Sequence, residues 1–264
     1  MKPAPYVHLA GAHLELEGAF TLAEELVERA AGCRLDLVGQ YVVPPVDAAP
    51  TRPFQTLHVD FGLPLAPVRP QAVATYTALH VPTGTRTEGA TTRLVPLGEL
   101  FGQRSWPARE ELVRRLEQYG RTHGVWDDRD GYTEGSLARL VEAADGAAPQ
   151  LPSVKEPGFR CGLEFDDADG EAAFFAARGL DVAAVAVEVR LAPGDLLVFD
   201  NHAVAHGRRG RRLPGELHQR FHGLLEAGVD EQLRLRDRLL DRFQSPGSVG
   251  ARVEGGSVEQ QRTA

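Results

Sequence analysis

Strand-like segments occur in both halves of this chain, on either side of a helical stretch over residues 107–157. In the first half, residues 54–61 and 71–80 are rich in β-branched and aromatic residues and are bordered by prolines. In the second half, residues 196–199 follow a Pro-Gly-Asp turn, and residues 218–225 have strand-like composition. This arrangement predicts an α+β domain in which a helical insert interrupts a β core.

Apolar residues at helical spacing predict further helices around this core. Thr21-Leu22-Ala23-Glu24 has the spacing of a capping box and predicts a helix over about residues 22–31. A short helix is expected around residues 171–178 and a closing helix over residues 230–243. By contrast, the alternating valines within residues 185–189 predict a half-buried strand.

The balance of charges limits the kinds of partner. The 264 residues include 29 basic and 37 acidic side chains, a formal charge of −8, and neutralising nucleic-acid phosphates requires a basic face. The longest apolar run near the middle, Val182–Val187, is far shorter than the roughly 20 residues of a membrane helix. The N-terminal residues lack a secretory pattern. We therefore predict a cytoplasmic protein with no nucleic-acid or membrane partner.

The length predicts a single domain over residues 1–244 with a tail over residues 245–264. The tail is rich in Gly, Ser, Gln and charge, so burial cannot offset its ordering entropy and we expect it to be disordered. Cys33 and Cys161 are too few for a disulfide framework or a thiolate zinc site. Both are predicted to be small core residues.

The segment Gln55–Phe61 carries the first candidate for chemistry. Because side chains alternate along a strand, His58 and Asp60 are predicted to lie on the same face. An imidazole and a carboxylate placed together offer two ligands for a divalent cation such as Fe(II), Mn(II) or Zn(II). Taken alone, the pair is better explained as a solvated strand face or a local His–Asp hydrogen bond.

A third ligand is predicted 148 residues beyond His58, where the apolar strand 196–199 runs into a polar turn that leads to His206. This separation fits opposite sheets of one double-stranded β-helix. Two histidines and one carboxylate would occupy one face of an octahedral metal ion and leave three positions open, as in non-haem Fe(II) oxygenases. His58, Asp60 and His206 are therefore the predicted metal ligands and catalytic residues.

Arg220 follows His206 by 14 residues. A guanidinium inside a β core would be an unpaired buried charge unless it met an anion, and its planar fork suits a carboxylate. This predicts a dicarboxylic ligand beside the metal. The alternative is an ordinary surface arginine, because 27 of the 29 basic residues are arginines.

With these residues, the chain resembles the taurine dioxygenase and clavaminate synthase-like branch of the Fe(II)/2-oxoglutarate-dependent dioxygenases, over roughly residues 58–221. The matching pieces are His58-Val59-Asp60, the Phe199-Asp200-Asn201 turn before His206-Gly207-Arg208, and Arg220. The resemblance implies a jelly-roll, cupin-like core with flanking helices.

The resemblance also implies that 2-oxoglutarate is bound through its far carboxylate by Arg220 and a threonine. In the family that threonine ends a Gly-Gly-acid-Thr segment. The matching stretch here is Gly84-Thr85-Arg86-Thr87, which indicates Thr87, with Thr85 as the alternative.

The activity implied by the resemblance is the hydroxylation, or another two-electron oxidation, of an unactivated carbon of a small molecule. Fe(II), 2-oxoglutarate and O2 would be required, and succinate and CO2 would be released. The expected substrate is a free or carrier-linked amino acid, or a natural-product intermediate. Halogenating relatives have a small residue in place of the carboxylate ligand, so the presence of Asp60 disfavours halogenation. The helical insert is expected to close over the site as a lid.

Two other functions remain open from the residues. A cupin-like metal hydrolase or isomerase would use His58, Asp60 and His206 around zinc or manganese, without needing Arg220 or Thr87. A non-enzymatic β-sandwich binding module would carry these side chains incidentally.

Several polar residues flank the predicted ligands. A second metal at His202 is not expected if a turn follows Asn201. His222 either contacts the site or lines the interior, and lining is the favoured interpretation. Arg208 and Arg209 either hold a carboxylate substrate or pair with Asp200.

Overall fold

The computed structural model describes residues 5–31, 37–43, 54–60, 70–84, 90–122, 136–146, 165–210 and 218–244. Several predictions concern residues outside these ranges, and they stay predictions. They are the tail over residues 245–264, the two threonines Thr85 and Thr87, and the cysteines Cys33 and Cys161.

The described residues form nine strands and seven helices. The strands are β1 (Tyr6–Leu9), β2 (Leu37–Val43), β3 (Phe54–His58), β4 (Gln71–His80), β5 (Thr91–Pro96), β6 (Val187–Val189), β7 (Leu196–Asp200), β8 (Val204–Arg209) and β9 (His218–Ala227). The helices are α1 (Leu16–Ala31), α2 (Leu97–Phe101), α3 (Arg109–Thr122), α4 (Leu137–Asp145), α5 (Ala168–Ala176), α6 (Val182–Val185) and α7 (Val229–Gln244). None of these helices is long and apolar enough to cross a membrane.

The strands build two antiparallel sheets, with the orders β1-β7-β4-β9-β2 and β3-β8-β5-β6. Strands from the first half of the chain pair with strands from the second half. In the larger sheet β4 lies between β7 and β9, and in the smaller sheet β3 pairs with β8. The prediction of an α+β domain with a β core drawn from both halves is confirmed.

The described part of the helical insert is built into the core. Helix α4 is buried along its length from Leu137 to Ala144, and it shares one hydrophobic cluster with α2, α3 and α7. Phe101 of α2 stacks on Phe243 of α7 with ring centroids 4.0 Å apart. Moving α3 and α4 away would expose this cluster to water. These two helices therefore form a wall of the domain rather than a lid.

The first helix begins earlier than predicted. α1 starts at Leu16, so Thr21 lies inside the helix and the predicted capping box is wrong. Phe20 packs edge-on against Phe221 of β9, with ring centroids 5.5 Å apart. Leu16 packs against the hydrophobic cluster that contains Phe221. Packing of this apolar face on the larger sheet extends the helix beyond the local capping signal.

The predicted strand over residues 185–189 is also shorter in the structure. The Asp181 side chain accepts a hydrogen bond from Ala184 N and caps α6, so residues 182–185 form a helical turn. Only Val187–Val189 pair with β5.

Candidate metal centre

Three buried side chains converge at the end of β3. His58 closes this strand, Asp60 lies two residues further on, and His206 is the cross-strand partner of His58 on β8. The two histidines therefore lie on neighbouring strands of one sheet, and the prediction that they lie on opposite sheets is wrong. The ligand atoms of the three side chains all lie within 4.8 Å of one another. Asp60 Oδ1 is 3.8 Å from His58 Nε2, and Asp60 Oδ2 is 3.4 Å from His206 Nε2. Among the described residues, no other three His, Cys, Asp or Glu side chains are grouped in this way.

Asp60 reaches this position through Asn201 rather than through strand alternation, because β3 ends at His58. Asn201 Oδ1 accepts a hydrogen bond from Asp60 N at 2.9 Å. Asn201 Nδ2 donates to Asp60 O at 2.8 Å and to Ala74 O at 2.9 Å. This amide is fully buried. It fixes the backbone that carries the carboxylate.

A β-bulge orients His58. The register of β3 against β8 shifts by one residue between Gln55 and His58, so β3 has one extra residue opposite Gly207. A Cβ at Gly207 would lie 2.7 Å from Gln55 O, so only glycine fits there. The Nδ1 of His58 donates to Thr56 O at 2.9 Å. With its proton on Nδ1, the ring presents an unprotonated Nε2 that can bind a cation.

His206 is a buried imidazole, and within the described part of the chain neither of its ring nitrogens has a hydrogen-bond partner, although Nε2 lies 3.4 Å from Asp60 Oδ2. Its ring lies between those of His58 and Phe199, at centroid distances of 4.3 and 4.8 Å. Burial lowers the pKa of His206 well below its ordinary value, so the ring is neutral, which is the form that binds metals. A buried polar group without a partner costs free energy, and metal coordination would offset that cost.

The carboxylate of Asp60 is held from the larger sheet. Thr77 Oγ1 of β4 donates to Asp60 Oδ2 at 2.9 Å, and Arg220 of β9 donates to Asp60 Oδ1 at 3.0 Å. Burial alone would raise the pKa of Asp60, but Arg220 and the surrounding imidazoles outweigh it and hold the pKa well below its usual range. Asp60 is therefore ionised, as a metal ligand must be.

His222 contacts the site and does not simply line the interior. It is the cross-strand partner of Thr77, with its Nδ1 3.3 Å from Thr77 Oγ1 and 3.7 Å from Asp60 Oδ2. Burial lowers the pKa of His222 to about 4. The sequence contains no motif that marks Thr77, because its role follows from the pairing of β4 with β9.

A cleft opens beside His206. Arg220 lines it; its Nη1 donates to Asp60, and its buried Nε has no hydrogen-bond partner among the described residues. In the structure, the anion that Arg220 meets is therefore Asp60. The lining residues are Gln55, Leu79, Ala90, Thr91, Thr92, Leu191, His206, Gly207, Arg208 and Arg220.

The structure separates the two arginines that follow Gly207. Arg208 lines the cleft, whereas Arg209 lies at the surface with NH1 3.1 Å from Glu188. Asp200 Oδ2 lies 4.0 Å from Arg242 of α7. The predicted alternative of an Asp200 pair with Arg209 is therefore wrong.

The donor set suits a divalent cation of borderline hardness. Two imidazoles and one carboxylate match the ligand preferences of Fe(II), Mn(II) or Zn(II). Such an ion would give a partner to one ring nitrogen of His206, which has none among the described residues.

Comparisons with known proteins find similar solved structures at low identity. One is asparagine oxygenase in complex with Fe(II), 2S,3S-3-hydroxyasparagine and succinate, at 18% identity, a TM-score of 0.37 and 70% coverage of this chain. A taurine dioxygenase from Burkholderia xenovorans matches at 13% identity and a TM-score of 0.39, with 86% of this chain and 80% of that chain covered. The chain spans 56% of the length of asparagine oxygenase. No protein-family model and no curated protein sequence matches the chain.

Proposed function

We propose that this chain is a non-haem Fe(II)/2-oxoglutarate-dependent oxygenase. The observation that supports this most directly is the convergence of His58, Asp60 and His206, in which both ring nitrogens of His206 are buried and have no hydrogen-bond partner among the described residues. Two imidazoles and one carboxylate are the donor set that binds Fe(II) on one face and leaves positions open for other ligands. The proposal includes a double-stranded β-helix, in which the two sheets enclose the site.

Each residue of the centre has a distinct role in this proposal. His58 Nε2, His206 and the Asp60 carboxylate hold the metal, while Asn201 and Thr77 fix the position of Asp60. When bound, iron would supply the activation of O2, coupled to the conversion of 2-oxoglutarate to succinate and CO2. The buried surroundings exclude water from the reacting groups.

Arg220 is proposed to bind the far carboxylate of 2-oxoglutarate, with Thr87 or Thr85 as the second contact. Arg220 lines the cleft beside His206, and its partner in the structure is the carboxylate of Asp60. A cation on Asp60 would compensate that charge. The guanidinium would then pair with the carboxylate of the cosubstrate.

The primary substrate is proposed to be a small molecule, either a free or carrier-linked amino acid or a natural-product intermediate. The reaction is hydroxylation or a related two-electron oxidation. Halogenation is not proposed because Asp60 occupies the carboxylate position.

Anaerobic titration with Fe(II) and 2-oxoglutarate tests the proposed function. We expect a weak visible charge-transfer band that requires both additions and is absent from H206A. The exposed Arg209 provides the control variant R209A, which should keep the band. A wild-type protein that binds Fe(II) but never shows the band would contradict the proposal. Succinate release across a panel of amino acids would then define the substrate class.

A metal hydrolase or isomerase is the second candidate. The contact between Arg220 and Asp60 favours this candidate, because it gives Arg220 a role that needs no cosubstrate. R220A separates the two functions. An oxygenase should keep metal binding but lose the band induced by 2-oxoglutarate. A hydrolase should show zinc- or manganese-dependent activity that 2-oxoglutarate does not affect.

A further inference from the structure

Among the described strands, the one that ends in His58 is the outermost of its sheet. β3 pairs with β8, and His58 also forms an isolated bridge with Ser136. Leu57, the residue before His58, donates its N–H to Glu171 Oε1 of α5 at 2.8 Å. Glu171 is buried, with 1% of its surface exposed.

The second oxygen of this carboxylate is also paired. Arg93 NH1 donates to Glu171 Oε2 at 2.7 Å, and its guanidinium lies over the ring of Phe54, 5.2 Å from the centroid. Arg93 is itself buried, and it is the register partner of Gly207 on β8. Pairing with a guanidinium offsets the cost of burying a carboxylate. The pair therefore ties α5 and β5 to the bulge of β3.

We propose that Glu171 and Arg93 are positioning residues for His58, an inference that rests on the proposed role of His58 as a metal ligand. Two backbone groups of the bulge are bonded to side chains. Thr56 O accepts from the His58 ring, and Leu57 N donates to Glu171. Losing the second bond would favour removal of the bulge, and a slip of one residue turns a side chain to the opposite face of a sheet. Glu171 thus keeps His58 Nε2 directed at Asp60.

Two double variants isolate this hydrogen bond. R93M/E171Q and R93M/E171M both lack the buried charges and have similar volumes, but only the glutamine can accept from Leu57 N. We expect Co(II) to bind about 10- to 100-fold more weakly to R93M/E171M, as is typical when a partner of a metal ligand is lost. Calorimetry measures the affinity. The visible spectrum of bound Co(II) reports whether an imidazole ligand has been lost.

Glu142 provides the matched control, because it is another fully buried glutamate and hydrogen bonds to Tyr119. E142Q and E142M should bind Co(II) with equal affinity. Equal affinities for the two Arg93/Glu171 double variants would overturn the positioning role while leaving the metal centre intact. If wild-type protein binds Co(II) no better than H58A, the proposed function itself fails.

Should R93M/E171M not fold, E171D supplies the second test. Aspartate keeps the charge but is too short to reach both Leu57 N and Arg93. We expect at least a 10-fold loss of Co(II) affinity, and an unchanged affinity would overturn the proposal.

Discussion

His58 and His206 face each other across β3 and β8, with ring centroids 4.3 Å apart. They meet at the point where β3 carries one residue more than β8. The bulge sets the direction of the His58 imidazole, and the neighbouring strand presents His206, which has no hydrogen-bond partner within the described ranges. A mutation at this pair of histidines is therefore expected to change the stability and the metal affinity of the protein in opposite directions.

Replacing His206 by leucine should stabilise the metal-free protein. The substitution removes two buried nitrogens that make no hydrogen bond to a described residue, and leucine fills a similar volume, so we expect a gain of about 1–2 kcal/mol in the free energy of unfolding. The variant should lose the stabilisation by Co(II), which for wild type is about 2.7 kcal/mol at 100 times the Kd. Urea unfolding with EDTA and with Co(II) measures both quantities. A metal-free variant less stable than wild type would contradict this account of His206.

Replacing Asn201 by alanine should destabilise the protein by about 3 kcal/mol or more. The change leaves Asp60 N, Asp60 O and Ala74 O buried without their amide partner. Metal affinity should fall as well, because Asp60 loses its anchor. Gln103 is a control, since its exposed amide bonds both the N and the O of Asp181. Water can replace that amide, so Q103A should cost less than about 1 kcal/mol. Equal losses for both variants would count against the anchoring role.

Gly207 should tolerate no side chain. A Cβ there would lie 2.7 Å from Gln55 O and 3.1 Å from Thr56 O, both backbone atoms of the bulge. G207A should therefore destabilise the protein by about 1–3 kcal/mol through strand displacement. Gly98 in α2 has no atom within 4 Å of the equivalent position, so G98A should be neutral or stabilising. Thermal unfolding of both variants checks this, and an unaffected G207A would show that the close strand approach can relax.

Stability should fall in mild acid, and His202 should account for part of the loss. Burial, followed by the charges of Arg242 and Arg238, lowers the pKa of His202 to about 4, against about 6.5 in the unfolded chain. Between these values the unfolded state binds more protons, so the stabilisation is complete above pH about 6.5 and is lost as the pH falls towards 4.

H202Q should reduce the slope of stability against pH in this range by up to about 1.4 kcal/mol per pH unit. Urea unfolding of metal-free protein at several pH values measures the slope. Identical slopes for wild type and H202Q would show that His202 takes up no proton on unfolding.

Elements with a strong local pattern could be predicted from the sequence. The strand predicted at residues 71–80 matches β4, and the helix predicted at 230–243 matches α7 to within one residue at each end. Alternation and helical spacing are local properties, so they mark such elements directly. Phe20 and Leu16 lengthen α1 through contacts with the larger sheet, which no local window contains.

The candidate ligands could also be predicted, because residue type and order along the chain single out His58, Asp60 and His206. The contacts that hold Asp60 in the site could not be predicted from the sequence. Strand alternation predicts its position, but β3 stops at His58 and Asn201 holds Asp60 from 141 residues away.

The sequence by itself determined which side chains can carry the chemistry, because residue type and order identify them. It also determined which segments form helices or strands, because the spacing of apolar residues along the chain sets that choice. Only the tertiary structure decided the bulge opposite Gly207, the Glu171 contact with Leu57 and the pairing of Arg220 with Asp60. Each of these depends on the register and packing of segments far apart in the chain. Hydrogen bonding and steric fit between those segments set the register, and no single segment encodes it.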